Sequence, residues 1–288
     1  MVVMMTSLQA SVSSVRQRPP VDWHGREAVR FDEVLTAAER LARWRIGATV
    51  TYRPLPDESP ARVAERLLAS LAPLAGLHAG TQLLIHAAAL GYDPGLLRGV
   101  LRAADAAGLP VTLDMTVPQR TDALLACVTS LQDAHRDLGL TLSCDRERSP
   151  DDVLRACALG LRLRLVHERC AETGAARRAS VQACARVVER AAGGTSQVTL
   201  VCHDPQIVAD SAAVLRRHGT PVVLELLPDL PRQGVLWTAR TLALPVRSCV
   251  SYGQPSMVSL PGQVARPSRV LWWSTLSSSM GTMLSGAA

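Results

Sequence analysis

Two kinds of segment alternate through most of the 288 residues. In the short ones apolar residues recur at every second position, and in the longer ones they recur with the period of a helix. The short segments are rich in aliphatic residues, and the longer ones repeat aliphatic residues three and four positions apart, as strands and amphipathic helices do. Strands and helices that alternate in this way predict a parallel sheet covered by helices. The predicted strands lie near residues 49–53, 82–86, 110–115, 139–144, 161–166, 197–203, 220–227 and 245–252.

Eight such strands predict an α/β fold of the closed, TIM-like (β/α)8 barrel type. The competing arrangement is an open doubly wound sheet, which would need a glycine-rich first turn, and TYRPLPDES at 51–59 has no glycine. Four predicted helices open with a Ser-Pro or Asp-Pro pair, which is typical of a helix N-cap followed by the first turn. The expected caps are Ser59, Asp93, Ser149 and Asp204.

The two ends of the sequence depart from the barrel pattern. Residues 1–24 are expected to form a disordered N-terminal segment, and a helical extension is predicted over 26–45. The barrel domain is expected to span 25–253. After Gly253 the sequence has three prolines and no helical face up to Arg269, so we expect an eighth helix that is irregular or missing and an atypical tail over 254–288.

The composition excludes several classes of protein. The sequence contains no lysine, which excludes a Schiff-base lysine and a P-loop. The net charge of +6 comes from arginines spread along the chain without a basic run, so no nucleic-acid partner is expected. Seven widely spaced cysteines predict buried, reduced thiols. No apolar run is long enough for a membrane span, so we expect a cytoplasmic protein with at most peripheral membrane contact.

The fifth predicted strand carries the most unusual pattern. In LRLRLV, three leucines alternate with Arg162, Arg164 and Val166, so that one face is aliphatic and the other bears two guanidinium groups. Buried guanidinium groups need an anion. The strand is followed directly by His167 and, three residues later, by Cys170.

The carboxyl ends of the other predicted strands also carry polar or reactive side chains. In a (β/α)8 barrel these ends form the active-site face. Three kinds of chemistry remain open: a metal site, a Cys170 nucleophile with His167 as its base, and an anion or phosphate site at Arg164. The five ligands of the metal site would be His86, His167, His203, Asp114 and Glu225. The candidate residues are His86, Asp114, Ser143, Asp145, Arg164, His167, Cys170, His203, Glu225, Cys249 and Tyr252.

The strand ends resemble those of the proline dehydrogenase family, FAD-dependent barrels that oxidise L-proline. The segment LRLVHERC, Leu163–Cys170, is similar to the family's V-R-L-V-K-G-A-Y, and VCHDP near His203 is similar to its A-T-H-D. The further similar segments are LDM at 113–115, IHAAALG at 85–91, LSCD at 142–145, VLELL at 223–227 and VRSCVSYG at 246–253.

This resemblance implies an FAD cofactor, a proline-like amino acid as substrate, and a quinone or another electron acceptor as partner. It places Asp114 and His86 at catalytic positions and Arg164 against the flavin. Further cofactor-binding positions are Ser143, His167, His203 and Glu225, and the substrate-binding positions are Asp114, Cys170, Cys249 and Tyr252.

The sequence departs from the family at several of these positions. His86 and His167 stand where the family has lysines, Ser143 where it has a glutamine, and Cys170 and Cys249 where it has tyrosines. No R-R-x-x-E pattern follows Gly253. Three interpretations therefore stay open: a flavoenzyme with an altered substrate, a diverged barrel that binds flavin or a small molecule without this chemistry, and a frameshifted or truncated remnant of an ordinary enzyme. A metal-dependent hydrolase is a fourth alternative.

Overall fold

A computed structural model of the chain describes residues 29–254, except 56, 78–79, 115–119, 168–172 and 228–232. Eight parallel strands form a closed barrel in which each strand pairs with its sequence neighbours and the last pairs with the first, which confirms the predicted fold class. The expectations about residues 1–24 and 255–288 lie outside the described residues.

The strands and helices follow one another in the predicted alternation. The strands are β1 (Gly47–Arg53), β2 (Gln82–His86), β3 (Val111–Asp114), β4 (Leu138–Ser143), β5 (Arg162–Val166), β6 (Val198–Val201), β7 (Val222–Leu226) and β8 (Val246–Gly253). The helices are α1 (Phe31–Arg43), α2 (Pro60–Ala75), α3 (Pro94–Ala106), α4 (Thr121–Leu131), α5 (Ser149–Ala158), α6 (Gly174–Ala191), α7 (Pro205–Arg217) and α8 (Gln233–Thr241). Short 3₁₀ turns follow β2 and α4. No helix among the described residues is long and apolar enough to cross a membrane.

The predicted N-terminal helical extension is part of the barrel wall. β1 and β8 pair along their whole lengths, from Gly47 and Arg247 to Arg53 and Gly253. Helix α1 packs against both of these strands, and Val29 just before it forms an antiparallel bridge to Gly253. Helices α2–α8 follow β1–β7, so α1 covers the seam that an eighth helix after β8 covers in the standard barrel.

The side chains of each strand alternate between two environments. Aliphatic residues such as Val50, Leu113 and Leu163 face the helices and form the main core. The lumen of the barrel is polar, although barrel interiors are usually filled by branched aliphatic residues. Its buried polar residues include Thr49, Gln82, Thr112, Thr141, Arg162, Arg164, Thr199, Glu225 and Arg247.

Two of these residues, Arg162 and Arg247, lie at the amino ends of the strands. Arg162 donates to the Asp137 carboxylate and to Gln82 Oε1 at 3.2 Å. Arg247 donates to the Gly80 carbonyl at 3.0 Å, and burial together with the charge of Arg162 lowers the pKa of Arg247. These bonds satisfy buried guanidinium groups at the end of a barrel that usually serves stability rather than catalysis.

Three of the four predicted helix caps are confirmed. Asp93 Oδ1 accepts from the amides of Gly95 at 2.7 Å and Leu96 at 2.9 Å, and Ser59 and Asp204 cap their helices in the same way. The prediction for Ser149 is wrong, because its hydroxyl donates to the Ser143 carbonyl at 2.5 Å instead. Ser149 is itself the first residue of α5, and Arg148 precedes it without a side-chain cap.

The described cysteines agree with the prediction of reduced thiols. All six are free, and all except Cys157 are buried. The seventh, Cys170, lies outside the described residues.

Candidate functional site

A buried ion pair between β5 and β7 crosses the lumen. Arg164 donates from Nε at 2.9 Å and from Nη2 at 2.6 Å to Glu225 Oε1. Glu225 is fully buried, and its Oε2 accepts from the Thr49 hydroxyl at 2.6 Å. Burial lowers the pKa of Arg164, but Glu225 and Asp114 outweigh burial and the net pKa is raised. The anion that the buried arginine requires is thus supplied by the protein itself.

A second polar group lies at the carboxyl ends of β1, β2 and β3. His86 Nδ1 lies 3.1 Å from Asp114 Oδ2, and His86 Nε2 lies 3.1 Å from Thr51 Oγ1. Asp114 Oδ1 lies 3.5 Å from Arg164 Nη1, which joins this group to the buried ion pair. Burial raises the pKa of Asp114, but His86 and the charge of Arg164 outweigh it and lower the net pKa to about 2. Asp114 is therefore a carboxylate at neutral pH.

Cys249 belongs to the same luminal cluster. It pairs with Thr49 across the seam of the barrel and is 9% exposed. Burial and the nearby Glu225 raise the pKa of its thiol to about 12. Since the thiolate is the nucleophilic form, Cys249 is unreactive at neutral pH.

Ser143 and His203 lie on the rim of the lumen at the ends of β4 and β6. The Ser143 hydroxyl accepts from the Asp145 amide at 3.2 Å. His203 Nε2 accepts from the Leu227 amide at 3.2 Å, which ties the end of β6 to the residue after β7. The structure therefore brings Arg164, Glu225, Asp114, His86 and Cys249 together, with Ser143 and His203 on the rim above them.

His167 lies on the outer face of the barrel. Its Nε2 lies 2.8 Å from Ser180 Oγ on α6, and its Nδ1 lies 3.9 Å from Cys202 Sγ. Ser180 in turn donates to Asp145 Oδ1 at 2.6 Å. The alternation that directs Arg164 inward directs His167 outward, since the two residues are an odd number of positions apart.

Tyr252 also faces away from the lumen. Its ring lies 4.9 Å from each of the rings of Phe31 and Tyr52, measured between centroids. These three residues line a cavity of about 590 Å³ that extends to Arg66 and Ser70 on α2. Cys170, the remaining substrate-binding candidate, lies outside the described residues.

One of the five candidate metal ligands lies apart from the other four. His86, Asp114, His203 and Glu225 belong to the lumen or its rim, whereas His167 packs against α6. Within the described ranges, no group of three or more His, Cys, Asp or Glu side chains is arranged to hold a metal ion.

Two arginines at the carboxyl ends of the strands were not among the candidate residues. Arg53 ends β1, and Arg146 lies three residues after the end of β4. The Nε atom of each is buried and has no hydrogen-bond partner among the described residues. The alternation of TVTYR could have identified Arg53, because it shares the inward parity of Thr49 and Thr51. No sequence signal of this kind marks Arg146.

Comparisons by sequence find no relative: no protein-family model and no curated protein matches the chain. By structure, the chain is similar to proline utilization A from Bdellovibrio bacteriovorus inactivated by N-propargylglycine, with a TM-score of 0.66 and 13% identity over 77% of this chain and 30% of that one. It is also similar to a mutant of proline utilization A from Bradyrhizobium japonicum, with a TM-score of 0.61 and 14% identity over 79% of this chain and 28% of that one.

A third similar structure is proline utilization A with proline bound in remote sites, with a TM-score of 0.59 and 14% identity over 73% of this chain and 26% of that one. The chain thus spans less than a third of each of these proteins. At such low identity, the comparisons show that this chain has the same barrel fold as a part of proline utilization A.

Proposed function

We propose that the chain is a proline dehydrogenase-like flavoprotein that binds FAD at the carboxyl ends of its strands and oxidises a proline-like amino acid. The observation that carries this proposal is the position of Arg164, held in the centre of the lumen beside the ionised Asp114. The resemblance of the strand ends to proline dehydrogenases implies a flavin contact for this arginine. The barrel shared with proline utilization A supports the same assignment.

The chemistry of the described side chains fits FAD. Its pyrophosphate is an anion that a guanidinium binds well, and Arg146 has a buried Nε without a partner beside the end of β4. The residues that would hold FAD are Arg164 and Arg146, together with Ser143 and His203 on the rim. When bound, FAD supplies the acceptor for the hydride of the substrate.

Glu225 and His167 have supporting roles in this proposal. Glu225 holds the Nε and Nη2 edge of Arg164, which leaves Nη1 on the side of Asp114. It is therefore a positioning residue that acts through Arg164. His167 contacts Ser180 on α6 at 2.8 Å and fixes the end of β5.

Asp114 and His86 are the proposed catalytic pair. With a pKa of about 2, the Asp114 carboxylate is too weak a base to take a proton from the substrate amine. Its role is to attract and orient the positively charged amine through its fixed negative charge. The imidazole of His86 lies against Asp114 and is the neighbouring group able to accept a proton.

One observation favours a second candidate, a diverged barrel that binds flavin or a small molecule without oxidising it. Glu225 already balances the charge of Arg164, so the guanidinium needs no further anion. The buried ion pair then accounts for Arg164 as a structural residue, without hydride transfer.

The test begins with the absorbance of the purified protein. The proposal expects bound FAD and bleaching of the flavin band by L-proline under anaerobic conditions, followed by recovery when a quinone is added as acceptor. Protein that takes up no added FAD would contradict the proposal. Protein that binds FAD and is not bleached by L-proline or other cyclic amino acids would support the non-catalytic barrel.

Two variants make this test specific to the site. Arg146→Gln is expected to weaken FAD binding roughly tenfold or more, because it removes a charge-assisted contact. Arg136→Gln is the matched control, since Arg136 precedes β4 at the opposite end of the barrel and its side chain is 85% exposed. Equal FAD affinity in the two variants would show that Arg146 does not contact the cofactor.

A further inference from the structure

Arg53 lies in one row with the two proposed catalytic residues. β1 pairs with β2 from Thr49 and Gln82 to Thr51 and Leu84, where the recorded pairing ends. We infer from this register, continued by two residues, that Arg53 faces His86. His86 pairs with Asp114 on the next strand. Adjacent strands are about 4.8 Å apart, so the backbones of Arg53 and Asp114 are separated by roughly 10 Å, with His86 between them.

Within the described ranges, no carboxylate forms an ion pair with the side chain of Arg53. Its Nε is buried and has no hydrogen-bond partner in the described part of the chain. Arg53 has the same inward parity on β1 as Thr49 and Thr51, whose hydroxyl oxygens lie 2.6 Å from Glu225 Oε2 and 3.1 Å from His86 Nε2. A partly buried guanidinium without a counterion loses hydration and is stabilised by a ligand that supplies an anion.

The row therefore has opposite charges at its two ends. Arg53 is positive, and Asp114 remains negative down to a pH near 2. An amino acid carries the complementary pair of charges, a carboxylate and an ammonium group, on one carbon. A simple amine would satisfy Asp114 and leave Arg53 unpaired.

We propose that Arg53 is a substrate-binding residue that recognises the carboxylate of an amino acid whose amine faces Asp114. This inference rests on the proposed function, because it concerns the same site. It makes Arg53 the residue that distinguishes amino acids from amines without a carboxylate.

The experiment compares L-proline with pyrrolidine, which has the same ring and amine but no carboxylate. Binding to the FAD-loaded protein is measured by isothermal titration calorimetry, and reduction of the flavin is measured separately. We expect Arg53→Gln to weaken L-proline binding roughly 10- to 100-fold, the usual effect of losing a charge-assisted hydrogen bond, and to leave pyrrolidine binding unchanged.

Further variants separate a contact from a folding defect. Arg53→Lys retains the charge and is expected to restore part of the L-proline affinity. Arg136→Gln, at the opposite end of the barrel, is expected to match the wild type with both compounds. Circular dichroism of each variant verifies that the barrel is folded.

The outcomes distinguish this inference from the proposed function. If L-proline binds equally to wild type and Arg53→Gln, or does not bind to the wild type, the inference is overturned. If L-proline binds and its binding depends on Arg53 but L-proline does not reduce the flavin, the inference stands and the proposed dehydrogenase activity fails. A third outcome is that L-proline reduces the flavin and that Arg53→Gln prefers L-proline over pyrrolidine as strongly as the wild type does. The proposed function then stands, and Arg53 has no role in recognising the carboxylate.

Discussion

At the scale of single residues, the charges in the lumen are coupled through Arg164. Its guanidinium lies between the fully buried Glu225 and the partly buried Asp114, and His86 extends the contact to Thr51. Removing Arg164 leaves two carboxylates without their cation, whereas removing Glu225 leaves Arg164 with Asp114 at 3.5 Å. The contributions of Glu225 and Asp114 to the free energy of unfolding can be measured separately with variants of each residue.

Glu225→Gln is expected to lower the free energy of unfolding by about 3 kcal/mol, since the buried Arg164 loses the anion that accepts two of its hydrogen bonds and is left with Asp114 at 3.5 Å. The double variant Arg164→Met with Glu225→Leu removes both charges of this pair, and the partly exposed Asp114 keeps His86 at 3.1 Å, so the double variant is expected to lose less stability than the single variant. Urea denaturation, monitored by circular dichroism, measures the unfolding free energy of both variants. A single variant within about 0.5 kcal/mol of the wild type would contradict this account of the pair.

Asp114 is expected to contribute a pH-dependent part of the stability. Its pKa in the folded protein, about 2, lies below its ordinary value of 3.8, so its contribution is complete above about pH 4 and is lost as the pH falls towards 2. The shift corresponds to about 2 kcal/mol. The difference in unfolding free energy between wild type and Asp114→Asn should shrink over this pH range.

The control for Asp114 is Asp133→Asn. Asp133 pairs with Arg98, and this contact lowers its pKa as well, but its side chain is 63% exposed and solvent screens the pair. The difference in unfolding free energy between Asp133→Asn and the wild type should be small and should change little with pH. A larger pH effect for Asp133 than for Asp114 would argue against the luminal network.

The sequence predicts some of the residue-scale features and misses others for a physical reason. Alternation places Arg164 inside the barrel and requires an anion there, but it does not identify the partner, because Glu225 is 61 positions away. The same alternation directs His167 and Tyr252 outward. When strand ends are matched by sequence resemblance, each residue is assigned a role from its position along the chain. The match does not test which way the side chain faces.

At the scale of elements, helices α2, α3 and α7 each begin at one capping side chain. Asp93→Ala is expected to destabilise the protein by about 1 kcal/mol, because two amides at the start of α3 lose their acceptor. Asp93→Ser should recover most of this loss. Thermal unfolding measures the effect, and equal stability of Asp93→Ala and the wild type would show that solvent replaces the cap at no cost.

The sequence predicts the number and order of the strands because each has its own apolar pattern. It does not predict the place of α1, since periodicity shows that a helix is amphipathic and does not show which surface it covers. Ser149 illustrates the same limit at one position. Its Ser-Pro pair matches a helix start, but the Ser143 carbonyl competes for the hydroxyl.

At the scale of the whole molecule, the barrel closes where β1 meets β8. Gly47 lies at the start of this seam, and a Cβ there would overlap the carbonyl oxygen of Gly80. Gly47→Ala is therefore expected to lower the melting temperature strongly, since backbone rather than a flexible side chain must move. Gly99 on α3 has open space around it, so Gly99→Ala should raise stability by about 0.5 to 1 kcal/mol.

These two variants change the same residue type in the same way. Calorimetry of both, with the wild type, separates the effect of barrel closure from the general effect of replacing glycine. Similar melting temperatures for Gly47→Ala and Gly99→Ala would show that the seam adjusts without strain.

The seam also governs the order in which the molecule can fold. Gly47 and Arg247 are paired although they lie 200 positions apart, and α1 rests on the same two strands. Contacts between distant parts of a chain form late because the intervening loop must first be closed. Until β8 arrives, β1 keeps an unpaired edge and α1 keeps an uncovered apolar face, which are the surfaces through which incomplete barrels aggregate. We therefore expect the final closure step to limit the yield of refolding.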